Sequence, residues 1–227
     1  MAVAADVRPV ATLIESVPAA DPAPLGLAGF ALTTFLLSGH NATFIPDLIW
    51  IGPALAYGGL AQLLAGMWEF RNRNVFGATA FATYGGFWIS LGSVIILAVV
   101  SKSFGAGLAD ANLPNGLAWF LLTFAIFNFY MLLWSTKVSV AVFGVFLTLQ
   151  ITEILLVIGF FMEAHGHANS GWVHWGGWLG IVTAGFAWYA SAAGVINGMS
   201  APKIVLPVGA PLWTARPGSP MPRRAGG

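Results

Sequence analysis

Five long apolar runs, residues 48–70, 75–100, 116–134, 138–162 and 172–197, dominate the chain and constrain its fold more than any other feature. A helix needs about 20 apolar residues to cross roughly 30 Å of hydrocarbon, and each run is long enough. A sixth run, 25–37, is apolar but short; it spans only if 22–24 or 40–44 also enter the membrane. With five spans beside it, a soluble helix there is a poor alternative. The expected fold is all-α integral membrane, with six transmembrane helices over 21–200. Residues 1–20 read as a disordered N-terminal tail. Residues 201–227, rich in Pro and Gly with a basic end, read as a disordered C-terminal tail.

Composition agrees. Only 7% of the 227 residues are charged, against about 25% in soluble domains, so lipid must be part of the solvent. The 28 glycines suit closely packed membrane helices, and the 10 tryptophans and 17 phenylalanines suit interfacial belts. A net charge of +1 offers nothing to nucleic acid. The absence of cysteine excludes disulfides, thiolate metal ligands and a Cys nucleophile. The first 20 residues lack the basic start and apolar run of a signal peptide.

Orientation follows from Lys and Arg placement. Six crossings put Arg8, Arg71, Arg73, Lys137, Lys203, Arg216, Arg223 and Arg224 on one side and only Lys102 on the other. Both termini are therefore expected in the cytoplasm and the chain in the cytoplasmic (inner) membrane. Five or seven spans would spoil the asymmetry, so the charges also support the short first span.

Asp21-Pro22-Ala23-Pro24-Leu25-Gly26-Leu27 opens that span. It reads either as a helix start with Pro in its first turn or as irregular backbone lining an anion's route. Phe76, Gly77, Thr83, Tyr84, Phe87 and Trp88 form a stripe of small and aromatic residues, suited to helix packing or to a pore constriction. Glu153 lies ~22 Å along its span, where a carboxylate is expensive and marks a pathway, a proton relay or a structural carboxyl at a subunit contact. Glu69, beside Arg71 and Arg73, reads as ordinary interface placement. Gln62, Asn128 and Asn197 read as polar glue between helices. Four scattered histidines make no metal site. No P-loop or serine-nucleophile elbow is present, so enzyme activity has no positive support and no cofactor is expected.

Taken together, Asp21-Pro22-Ala23-Pro24-Leu25-Gly26-Leu27-Ala28-Gly29-Phe30 resembles the N-P-A-P-L-G-L-x-x-F signature of the acetate–succinate permease family of acetate uptake transporters. The likeness continues through Tyr57-Gly58-Gly59, Gln62, Ala65-Gly66, Glu69, Phe76-Gly77, Tyr84-Gly85 and Leu206-Pro207-Val208-Gly209, and covers nearly all of 21–209. The resemblance implies six spans, cytoplasmic termini and a homo-hexameric ring in which each protomer carries its own route for acetate and sometimes succinate. It implies a hydrophobic constriction of Phe30, Tyr84 and Leu149, with Thr33, Thr34 and Asn41 as polar lining. Two departures stand out. Asp21 replaces the usual Asn, placing a carboxylate at the mouth of the expected anion route, and Glu153 is foreign to the well-known bacterial members.

The function expected is passage of acetate or another small monocarboxylate through that neck, with Glu153 as proton carrier if transport is proton-coupled. The rival readings are a channel for ammonia or ammonium and a non-transporting sensor or assembly protein.

Overall fold

The computed structural model describes residues 20–110, 112–167 and 171–214. Nearly all of the N-terminal tail and the basic end of the C-terminal tail lie outside them. The described residues form helices and no strand. Five helices are long and apolar enough to cross a membrane. In this article's numbering they are α1 (Ala23–Asn41), α4 (Val75–Val100), α6 (Leu113–Ser135), α7 (Val140–Ala164) and α8 (Trp172–Met199). Between α1 and α4, three helical segments follow one another without a gap: α2 (Ile51–Leu55), a π segment (Ala56–Ala61) and α3 (Gln62–Arg71). The apolar run 48–70 is thus helical from residue 51 but changes pitch in the middle. A short helix, α5 (Lys102–Asp110), occupies part of what reads as a loop.

The start of α1 is regular. Pro22 is the N-cap residue and Pro24 falls in the first turn, where a missing N–H costs nothing. The Gly26 N–H reaches the Pro22 carbonyl at 3.1 Å, and Asp21 Oδ1 accepts from the Ala23 N–H at 2.9 Å. The irregular-backbone reading of this stretch is therefore corrected, and the exposed Asp21 carboxylate accepts from the first N–H of the helix. Both prolines are accommodated, so the helix runs 23–41 rather than 25–37. Asn74, Asn112 and Ser139 cap α4, α6 and α7 in the same manner, each accepting from a backbone N–H three residues on.

Helix α1 packs along α8, α7 lies between α6 and α8, and α3 lies on α4. Small residues set these approaches, as they must where apolar lipid removes the hydrophobic drive for helix association. A Cβ at Gly194 would stand 2.7 Å from the Pro24 ring. Any side chain at Gly58, in the π segment, would collide with Thr33.

Residues 201–214 depart from the expected disorder. They fold back as a strap over the ends of α6, α7 and α8. Asn197 Oδ1 accepts from the N–H groups of Val205 and Leu206 at 2.8 and 3.0 Å, and its amide donates to the Leu206 carbonyl at 2.8 Å. Asn197 thus ties down the strap rather than a neighbouring helix. The Val208 carbonyl accepts from the Ala141 N–H at 2.9 Å, satisfying a first-turn donor of α7 that has no partner within its helix. The Trp213 N–H reaches the Thr136 carbonyl at 3.0 Å. The Lys137 ammonium lies 4.3 Å from the Trp213 ring centroid and 5.3 Å from that of Trp134. Pro and Gly content suggested a chain without partners, but the backbone groups of this strap find them on the helix ends.

Candidate functional site

Two cavities lie along the bundle. The smaller, about 80 Å³, is lined at its outer end by Ala23, Asn74 and Val138, beside the 72–74 and 136–139 turns. The larger, about 470 Å³, is lined by His40, Asn41, Asp47, Phe160, Glu163 and Val173, toward the opposite helix ends. Three residues line both: Phe30 of α1, Tyr84 of α4 and Leu149 of α7. All three are buried. The Phe30 and Tyr84 rings meet edge to face, with centroids 5.5 Å apart at 65°. Tyr84 also adjoins Phe87, Phe124 and Phe127, so the aromatic stripe of α4 both packs the bundle and faces the cavities.

Polar groups surround this junction. The Tyr84 O–H donates to Asn128 Oδ1 at 2.9 Å and lies 3.5 Å from Glu153 Oε1. Asn128, wholly buried, donates onward to the Phe146 carbonyl and to Gln150 Oε1, each at 3.0 Å. Asn128 is thus the cross-helix link its side chain suggested, joining α4, α6 and α7. Glu153 is 4% exposed, lines the larger cavity, and has one oxygen, Oε2, without a partner. The Thr34 hydroxyl and the Trp88 indole N–H, on the same wall, also lack partners. Leaving such groups buried and unpaired costs about 1–3 kcal/mol each, so together they suit a polar solute.

The expected lining residues divide. Thr34 and Asn41 line the larger cavity. Thr33 lines neither: its hydroxyl donates to the Gly29 carbonyl at 3.0 Å and its side chain packs on Gly58, because its own position on the helix faces α2 and the π segment. Thr33 is a packing residue, and its assignment to the lining is corrected.

Glu69, expected at a membrane interface, is corrected by the structure. Instead of sitting at an interface it is 1% exposed, lines the smaller cavity, and has Oε1 without a partner. Gln62, one face along and also 1% exposed, lines the same cavity and has an unpartnered Oε1 where a cross-helix bond was expected. A signal was available. Gln62, Ala65, Gly66 and Glu69 are spaced i, i+3, i+4, i+7, the period of one helix face, and all four are buried. Arg71 and Arg73 mask that spacing, because a carboxylate beside them reads as an interface residue. Among the described residues no cluster of His, Asp or Glu could hold a metal.

Comparison with known proteins adds relatives to this geometry. Residues 3–210 match the model of the GPR1/FUN34/yaaH family. Ammonia transport outward protein 2 of Saccharomyces cerevisiae is 39% identical over 202 residues, covering 85% of this chain and 67% of its own length. The succinate-acetate/proton symporter SatP of Escherichia coli is 34% identical over 191 residues, covering 84% of this chain and 95% of its own. The matched part spans 61% and 67% of two yeast relatives. Among solved structures, that of the bacterial acetate channel SatP superposes with a TM-score of 0.75 at 33% identity, covering 84% of this chain and 99% of the other. With its helices, its two cavities and a family match over almost its whole length, the chain belongs to the GPR1/FUN34/yaaH family of membrane proteins.

Proposed function

We propose that the chain conducts acetate, and with it small monocarboxylates or succinate, across the cytoplasmic membrane through the two cavities and the neck between them. The observation that carries this reading is the shared lining: two cavities open toward opposite helix ends, and Phe30, Tyr84 and Leu149 belong to both. An aromatic and aliphatic neck admits solutes by size and dewetting. Thr34, Asn41 and Trp88, in the larger cavity, offer donors that replace part of a carboxylate's lost hydration. SatP, named for succinate, acetate and a proton, supports the same substrate class.

Six crossings complete the topology, the second made by α2, the π segment and α3 together. Both termini then face the cytoplasm, as the placement of eight of nine Lys and Arg residues favours. The assembly proposed is a ring of six protomers, each with its own route, in which the apolar side chains exposed on the outer faces, including Trp68, Trp119, Phe129 and Trp175, meet lipid or a neighbouring protomer. No enzymatic step is invoked. Proton coupling is assigned to Glu153, which faces the larger cavity with a free oxygen.

Uptake of labelled acetate into proteoliposomes of the purified protein tests the reading. Flux above that of empty liposomes is expected, and none would refute it. Ammonia is the second reading, favoured by the name of the yeast relative. Competition separates the two: propionate, not ammonium, is expected to slow acetate flux.

A further inference from the structure

The neck divides two buried carboxyls. Glu153 faces the larger cavity and Glu69 the smaller, and each has one oxygen without a hydrogen-bond partner. An unpaired buried acceptor is costly and calls for a donor. Around Glu69 the structure is arranged to hold a carboxyl. The Asn74 and Gln62 side chains line the cavity beside it. A Cβ at Gly77 would lie 2.5 Å from Glu69 Oε1, so a residue without a side chain leaves that oxygen its space. The remaining wall is largely apolar, formed by Leu27, Phe76, Val142 and Val145.

We infer that Glu69, supported by Gln62, is the proton-accepting subsite on the cytoplasmic side of the neck, where it receives the substrate as the neutral carboxylic acid. This rests on the transport reading above and assigns a residue and a chemical form to it. A carboxylate meets only apolar side chains and one tyrosine at the neck, and stripping it of water there is expensive. The neutral acid crosses at far lower cost. On the larger-cavity side, the protonated Glu153 carboxyl gives its proton to the substrate carboxylate; one O–H bond breaks and another forms. Beyond the neck the acid's O–H breaks as its proton passes to the Glu69 carboxylate. Glu69 then releases the proton to cytoplasmic water and Glu153 takes another from the opposite side. One carboxylate and one proton cross per cycle.

The groups facing each carboxyl fit these roles. Glu69 shares the lining of its cavity with Gln62 and Asn74. Arg71 and Arg73, on the exposed turn after it, lie outside the cavity. Glu153 has Tyr84 within reach and shares its cavity with His40, Asp47 and Glu163 nearer the mouth.

The test measures initial acetate uptake in proteoliposomes at fixed external pH while internal pH is varied. Outside, the amount of neutral acid stays constant, so simple entry of whole acid is blind to internal pH. Discharge of Glu69 is not: uptake by the wild-type protein is expected to quicken severalfold as the interior is made alkaline. Glu69→Gln, nearly isosteric, is expected to slow uptake at least tenfold and to abolish that dependence, whereas Glu69→Asp retains it. Glu69→Gln should elute as the wild type does in detergent and unfold at a similar temperature, so that the loss is not one of folding. Internal-pH dependence persisting in Glu69→Gln would overturn the inference. So would wild-type uptake driven by an inside-positive potential at equal pH, which signals passage of the anion, or ammonium flux alone depending on Glu69. Absence of wild-type acetate flux would instead remove the transport reading itself.

Discussion

Tyr84 acts through two parts of its side chain, the ring and the hydroxyl. Its ring faces both cavities and meets Phe30, while its hydroxyl joins Asn128 and approaches Glu153. Tyr84→Phe keeps the ring and removes one buried hydrogen bond, at a cost of about 1 kcal/mol. A modest fall in thermal midpoint in detergent is expected, with solute size selection retained. Asn128→Leu should cost more, because it leaves the Tyr84 hydroxyl, the Phe146 carbonyl and Gln150 without their shared partner. Glu153→Gln is expected to remove proton coupling of acetate uptake; unchanged coupling would exclude Glu153 from the mechanism. The sequence made Phe30, Tyr84 and Leu149 legible through family resemblance, and Glu153 through the cost of a carboxylate in mid-span. Thr33 and Thr34 could not be told apart in the same way. Neighbours on a helix point about 100° apart, and which one faces a cavity depends on where α8 and the π segment pack.

At the level of elements, the run 48–70 is the instructive case. Hydropathy reads it as one uninterrupted helix, since apolar content is blind to whether a carbonyl bonds four or five residues on. The π segment is where Gly58 lets Thr33 of α1 approach, and such segments recur at functional sites. Gly58→Val should push α1 away and destabilise the protein by about 1–3 kcal/mol, which detergent denaturation of purified protein would detect. The strap 201–214 was illegible for a related reason. Two of its partners, Thr136 and Ala141, are distant in sequence, and Tyr189 and Asn197 meet it only because the chain turns back on α8. Asn197→Ala removes three of its bonds, and faster hydrogen exchange confined to the strap is the expected result.

For the molecule as a whole, hydropathy proved sufficient to read the helical membrane architecture, because it reports directly on which segments lipid can solvate. The chain has no cysteine, so single substitutions report topology cleanly. In right-side-out vesicles, Thr43→Cys is expected to react with an impermeant maleimide, and Asn72→Cys only after the membrane is opened. The cavities are a property of assembly that no single run of sequence announces; they follow from α1, α4 and α7 converging on Phe30, Tyr84 and Leu149. The neck is therefore the part of the account most worth testing. The direct measurement is the ratio of acetate to butyrate flux in proteoliposomes, for the wild-type protein and for Leu149→Ala prepared alike. If these three residues form the selecting neck, Leu149→Ala admits butyrate several times more readily while acetate still passes. An unchanged ratio with acetate flux intact would contradict it.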